Sequence, residues 1–222
     1  MPLVRLMTLF FPGICYIISF MFIDVSLPLE AGMVFRHGSP AVFLKEIDCY
    51  HRDEGNYRTH VLSMPLHSGT HVDLVDVSKP FPAERCCGTG LIVDVSGIGD
   101  RDIEPEDISR KDLIDKVRFV FFRTGWDVHI RTSKYFDHPQ LSPALVEWLA
   151  EKDLNMVGID AMGLGRGANH GVYDRLLTAK DIFVIENLCG LSRITVDTFE
   201  VFCFPLSLSH VEALPARVMI RV

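Results

Sequence analysis

The 222-residue sequence has no basic excess, no CxxC pair, no internal repeat and no long linker. With 22 Lys and Arg against 29 Asp and Glu, the formal net charge is -7. The positive field that a phosphate backbone requires is therefore missing, and nucleic acid is not an expected partner. Cysteines occur only at 15, 49, 86, 87, 189 and 203, and a chain this long needs no disulfide staple. They read as mostly buried, reduced thiols; the vicinal Cys86 and Cys87 could be redox-active or metal-binding, but no neighbouring ligand spacing supports that. Ser63 and Ser68 lack a G-x-S-x-G elbow, which argues against a serine hydrolase. The GLGRG run at 163–167 lacks the Lys-Ser or Lys-Thr pair of a phosphate loop, so Gly163 and Gly165 read as a turn.

What is present is an ordinary globular composition. Hydrophobic residues at 48% and charged residues at 23% suffice for a buried core and argue against disorder. The anomaly is at the start, where Arg5 is the one charge in the first twenty residues and Leu6 to Phe20 carries none. Residues 1–20 could be a signal peptide, a membrane anchor, or a segment preceding a true start at Met21. No A-x-A cleavage site follows, and Pro12 and Gly13 interrupt the run. Residues 21–222 then form the domain, which is expected in the cytoplasm unless the leader is native and exports or anchors it.

From residue 21, strand-like and helix-like patterns interleave. MFIDVSL and MVFRHGSPAVFLKEI read as extended, with a turn at Gly38 to Pro40, and RTHVLSMPLHSGTHVDLV as one long strand or two joined at Pro65. TGLIVDVSG and VRFVFFRTG read as buried strands, and NMVGID, DIFVIENL, TFEVFCFPLSL and ARVMIRV as further strands. IEPEDISRKDLIDK carries its acids first and a lysine last, matching a helix and its dipole. LSPALVEWLAEKDL is the clearest helix, with Ser142 as N-cap, Pro143 in the first turn and an apolar stripe of Leu145, Trp148 and Leu149. YDRLLTAK reads as a short helix. The class is mixed α/β, one domain with a substantial sheet.

The chemistry concentrates in HSGTHVDLVDV, residues 67–77. On a strand His67, Gly69, His71 and Asp73 would face one side, Gly69 leaving room between the imidazoles; on a helix Asp73 would swing away. Two imidazoles and a carboxylate suit zinc, manganese or iron, although such a triplet also arises in ordinary surface loops. Trp126, Tyr135, Phe136 and Trp148 could shape an aromatic substrate wall, with Trp148 on a core stripe. His37, His51, His60, His129, His138 and His210 have no partner spacing that singles them out.

The run H-S-G-T-H-V-D resembles the H-x-G-T-H-x-D signature of the cyclase family of metal-dependent hydrolases, which includes bacterial kynurenine formamidase and isatin hydrolase. FIDVSLPL, FFRTGW, LSPALVEWLAEKDLNMVGID and FVIENL resemble further family segments in the same order, so the likeness spans roughly Met21 to Val222. It implies a barrel-like core with flanking helices, and a divalent zinc or manganese ion, one or two, on His67, His71, Asp73 and Glu186. It also implies hydrolysis of an amide C–N bond, arylformamidase-like, with N-formylkynurenine as the family-level substrate, and a homo-oligomer, dimer or tetramer. His170 and Glu186 are the expected catalytic pair. A histidine twelve residues before the glutamate is usual in many relatives, but Asp174 stands there and His170 lies sixteen before. Either His170 is the equivalent or Asp174 has replaced it as an oxygen ligand; His170 is preferred. The family pattern continues D-x-P-x-H, where this chain has Val75 and Val77. Valine cannot carry a proton, so another group must, or the activity differs; a metal-binding protein of the same fold without catalysis is the alternative.

Overall fold

The computed structural model describes residues 3–11, 14–36, 38–51, 55–99 and 101–222, with backbone only for 3–11, 14–20, 50 and 51. Pro12, Gly13 and His37 lie outside the described residues, as do the side chains of Cys15 and His51. The strands are β1 Leu3–Phe11, β2 Ile14–Asp24, β3 Phe43–His51, β4 Gly55–Ser63, β5 His71–Asp73, β6 Cys87–Asp94, β7 Phe119–Arg123, β8 Met156–Ile159, β9 Phe183–Glu186, β10 Thr198–Pro205 and β11 Ala213–Arg221. Among the described residues three α-helices accompany them: α1 Lys111–Ile114, α2 Pro143–Ala150 and α3 Ala168–Thr178.

Seven strands close into a barrel in the order β11-β10-β6-β7-β8-β9-β5, with β5 pairing back onto β11. β6, β7, β8 and β9 run parallel, and the remaining barrel pairs are antiparallel. Parallel neighbours need long crossovers, which here carry the helices, and their strands are buried on both faces. That is why FVFFR, MVGI and FVIE read as unbroken apolar runs. Phe119 and Phe121 enter a cluster fed by side chains from all seven barrel strands, which places it in the interior. Val120 and Phe122 alternate to a second cluster, shared with Leu145, Leu149 and Leu177, between wall and helices. The mixed α/β, barrel-cored domain expected from sequence is therefore what forms.

Ser142 caps α2 as expected, its Oγ accepting from the Leu145 N–H at 3.2 Å. Three other readings need correction. IEPEDISRKDLIDK is not one helix but a 3-10 turn at Pro105–Asp107 and the single turn of α1. The Asp107 carboxylate bonds the Glu104 N–H and Arg101, and Ile103 pairs with Leu141, so tertiary contacts override the helical pattern. The helix read from Tyr173 onward begins earlier, at Ala168, after Gly167 with φ +55°. The opening strand likewise starts before Met21, at Ile14. β2 pairs with β1, and Phe22 to Asp24 pair with β11. No helix among the described residues is long and apolar enough to cross a membrane. β3 and β4 form a separate hairpin with Phe43, Leu44, Val61 and Leu62 exposed.

Candidate metal centre

β5 is only three residues long, so its alternation is short but decisive. Val72 points into the barrel interior, and His71 and Asp73 point outward. The register sets His71 directly opposite Glu186 on β9, and His71 Nε2 lies 3.2 Å from Glu186 Oε2. Asp73 Oδ1 is 3.3 Å from the same His71 nitrogen. The site thus sits on the outer wall of the barrel, on the side that α3 covers.

His67 reaches it by a different route from the one the strand reading implies. It lies in a turn before β5, not on the strand, and Gly69 has φ +68°. The turn folds His67 back, bringing Nδ1 to 3.0 Å from Asp73 Oδ1 and 3.1 Å from His71 Nε2. Gly69 is required for its backbone and for close packing, since a Cβ there would lie 2.7 Å from Leu29 Cδ2. Its carbonyl accepts from His71 Nδ1 at 2.9 Å and from the Asn187 amide at 3.0 Å. Holding the proton on Nδ1 leaves the Nε2 lone pair facing the carboxylates, the tautomer a metal ligand needs.

The choice between His170 and Asp174 dissolves in the structure. Both lie on α3, four residues apart and facing the site. His170 Nε2 is 3.5 Å from Glu186 Oε1 and 3.9 Å from Asp174 Oδ2. Two ligand groups result, His67, His71, Asp73 and Glu186, and Asp73, His170, Asp174 and Glu186, each with its donor atoms within 4.8 Å of one another. Asp73 and Glu186 belong to both.

The electrostatics call for a cation. Apart from the facing imidazole nitrogens of His67, His71 and His170, both carboxylate oxygens of Asp73, both of Glu186 and Oδ1 of Asp174 are buried with no hydrogen-bond partner. A buried carboxylate without a counter-charge is strongly disfavoured, so a donor set of imidazoles and unpartnered carboxylates fits a divalent ion. The titrations register the same imbalance in the metal-free chain. Burial, then the Asp73 charge, pushes Glu186 well above the usual carboxylate range and Asp174 up to about 8. Burial opposes protonation of His71, but Asp73 and Glu186 outweigh it and raise the group to about 10. Burial and the Arg36 guanidinium instead lower His170.

Several residues that are not themselves ligands complete the site. Tyr135, expected in a substrate wall, is buried, and its hydroxyl donates to Asn187 Oδ1. Asn187, with φ +56°, passes that restraint to the Gly69 carbonyl. Thr70 Oγ donates to the Asn187 carbonyl at 2.6 Å. Arg36 Nη2 lies 2.6 Å from His170 Nε2. Arg36 carries no motif of its own, whereas Thr70 is the threonine of the H-S-G-T-H-V-D run and Asn187 stands within FVIENL. Phe136 does line a cavity of about 330 Å³ with Arg36, Met162, Gly165, Gly167 and His170. Trp126 and Trp148 pack against the helix-side core instead. Val75 and Val77 are exposed, and Asp76 is engaged with Ser78 and the exposed Lys79.

The fold and donor set define an α/β barrel protein with an imidazole–carboxylate site built against its outer wall. The chain belongs to the cyclase family, whose model matches residues 23–166. That span includes His67, His71 and Asp73 and ends before His170 and Glu186. A kynurenine formamidase of Bacillus thuringiensis (strain Al Hakam) is 24% identical over 222 residues, covering 90% of this chain and 96% of its own. A solved structure described as a potential metal-dependent hydrolase with cyclase activity superposes with a TM-score of 0.75 at 25% identity, over 91% of this chain and 99% of the other. Isatin hydrolase A from Labrenzia aggregata shares the fold, with a TM-score of 0.74 at 20% identity, over 91% and 94% of the two chains.

Proposed function

We propose that this chain is a metal-dependent hydrolase of an amide C–N bond, linear or cyclic, of the arylformamidase type. The observation that carries the reading is the set of buried carboxylate oxygens of Asp73 and Glu186, faced by imidazole nitrogens and no other donor, converging with His67 and His71. These four residues would hold a divalent ion, zinc or manganese, which supplies Lewis acidity toward a carbonyl and a water nucleophile near neutral pH. The chain's own part is to position and to move protons. Gly69 and Asn187 hold His71 in its ligating tautomer. Glu186, raised by burial, can take up a proton and return it to the leaving nitrogen, while His170, kept neutral by burial and Arg36, stands 3.5 Å away and orients it. This proton path would stand in for the family histidine whose place Val77 takes. The cavity bounded by Arg36 and Phe136 would admit a small amide, and the relatives named for kynurenine formamidase and isatin hydrolysis favour N-formylkynurenine or a cyclic aryl amide as first substrates to try. A cytoplasmic homo-oligomer, with residues 1–20 outside the catalytic domain, remains part of this proposal.

A second reading, a metal-binding protein without catalysis, is favoured by one feature, the exposed Val77 where the family pattern carries histidine. Metal content and hydrolysis of N-formylkynurenine and isatin, measured for wild type and His71→Ala, separate the two. The enzyme reading expects bound metal, turnover abolished by a chelator and restored by zinc or manganese, and loss of both metal and turnover in His71→Ala. Metal-replete wild type without turnover across a broad amide panel would leave only the second reading.

A further inference from the structure

The two ligand groups share Asp73 and Glu186, which invites two ions side by side. The second group, however, already has a cation on it. Arg36 Nη2 lies 2.6 Å from His170 Nε2 and 4.0 Å from Glu186 Oε2. A guanidinium only donates, so the His170 lone pair that would bind an ion is committed to Arg36.

The backbone around Arg36 gives this contact a fixed origin. Met33, Phe35 and Val42 are buried together in a small core, and the Val42 N–H donates to the Met33 carbonyl at 2.8 Å. Arg36 is thus presented from a segment pinned on both sides, with its side chain 38% exposed toward the cavity it shares with Phe136, Met162 and His170. Charge counting agrees. Fully ionised, Asp73, Asp174 and Glu186 bring at most three negative charges, which one divalent ion and one guanidinium already cancel. A second divalent ion would leave a buried excess of positive charge beside an arginine that cannot lose its proton.

We propose that Arg36 is a built-in cation occupying the second half of the site, so that the chain takes up one divalent ion, on His67, His71, Asp73 and Glu186. This rests on the metal-hydrolase reading above but concerns ion number and not turnover. Arg36 leaves Asp174 and His170 as an electrostatically balanced flank and not as a second coordination sphere.

The test is ion counting on the full chain with manganese as probe. Metal-stripped protein is dialysed against graded MnCl2, bound ion is measured by elemental analysis, and Mn²⁺ paramagnetic resonance reports whether bound ions are isolated or coupled. Wild type is expected to bind one ion tightly, with the spectrum of an isolated Mn²⁺. Any second ion should be roughly a hundredfold weaker or more, as a like charge within about 4 Å demands. Arg36→Gln is expected to admit a second ion and show a coupled pair, whereas Arg36→Lys keeps the count at one. Two ions of comparable affinity in wild type would overturn the proposal, and so would an Arg36→Gln chain that folds by circular dichroism and stays at one. Should Arg36→Gln fail to fold, the wild-type and Arg36→Lys counts still decide. A wild type that binds no ion removes this inference and the functional reading together; one ion without amide hydrolysis removes the functional reading alone.

Discussion

His170 and His138 show how little residue type says about role. Both are histidines in or beside the same layer of the fold, and both are held below the ordinary imidazole range by burial. His170 borders the cavity and faces Glu186, so replacing it should touch chemistry before stability. His170→Gln, which removes the group that orients Glu186 and receives Arg36, is expected to lower kcat by about 10²-fold while leaving metal content unchanged, read from steady-state rates and elemental analysis of the same sample. His138 is fully buried, bonded through Nδ1 to the Pro139 carbonyl at 2.8 Å, and its pKa falls to about 4. The unfolded chain takes up this proton near 6.5 and the folded chain only near 4, so the unfolded state binds more protons in between. Stability attributable to His138 is therefore intact above about pH 6.5 and lost as pH falls toward 4, by about 3 kcal/mol in all. Urea unfolding of wild type and His138→Phe between those pH values should show the wild type falling more steeply; parallel curves would remove this assignment. Neither histidine had a spacing that announced its environment. His138 lacked any partner in sequence, and His170 stood four residues from the expected register.

At the scale of elements, the turn before β5 matters more than the strand. The strand reading of residues 67–73 assembled the right ligands for a reason only half correct. His71 and Asp73 do share a strand face, but His67 joins them because Gly69 turns the chain at φ +68°. A period-two pattern and a turn that folds back both place residues four apart in proximity, and sequence spacing cannot tell them apart. Gly69→Ala separates the two. The left-handed backbone alone should cost about 1–2 kcal/mol, and the added methyl must also displace Leu29. Metal affinity should fall along with stability as His67 moves, measured by denaturant titration and manganese binding. Unchanged affinity would mean that His67 does not depend on the turn. α3 teaches the same lesson from the other side. Its apolar residues Tyr173 and Leu177 were visible, but its first turn reads as a glycine-rich loop, because packing of that turn against β9 outweighs local helix propensity.

For the whole molecule, the barrel and the metal centre are energetically linked. The unpartnered carboxylates destabilise the folded chain without a cation, so an ion that binds the native state alone should stabilise it by mass action. With free Mn²⁺ at a thousandfold its dissociation constant, about 4 kcal/mol of added stability is expected. A thermal melt should rise with manganese in wild type and stay fixed in His71→Ala. An equal rise in both would place the ion elsewhere.

The sequence by itself determined the wall of the barrel and half of the site. Apolar runs long enough for buried parallel strands, the Ser142 cap and the spacing of His71 and Asp73 are local features, set by periodicity and side-chain chemistry. Only the tertiary structure decided the rest. Glu186 meets His71 through strand register 115 residues away, Arg36 meets His170 across 134 residues, and the Tyr135–Asn187–Gly69 relay joins three separate segments. Such contacts arise from closing the sheet on itself and laying α3 over its outer face. No local pattern encodes them, because the free energy that selects them is the burial of the two cores and not the preference of any one segment.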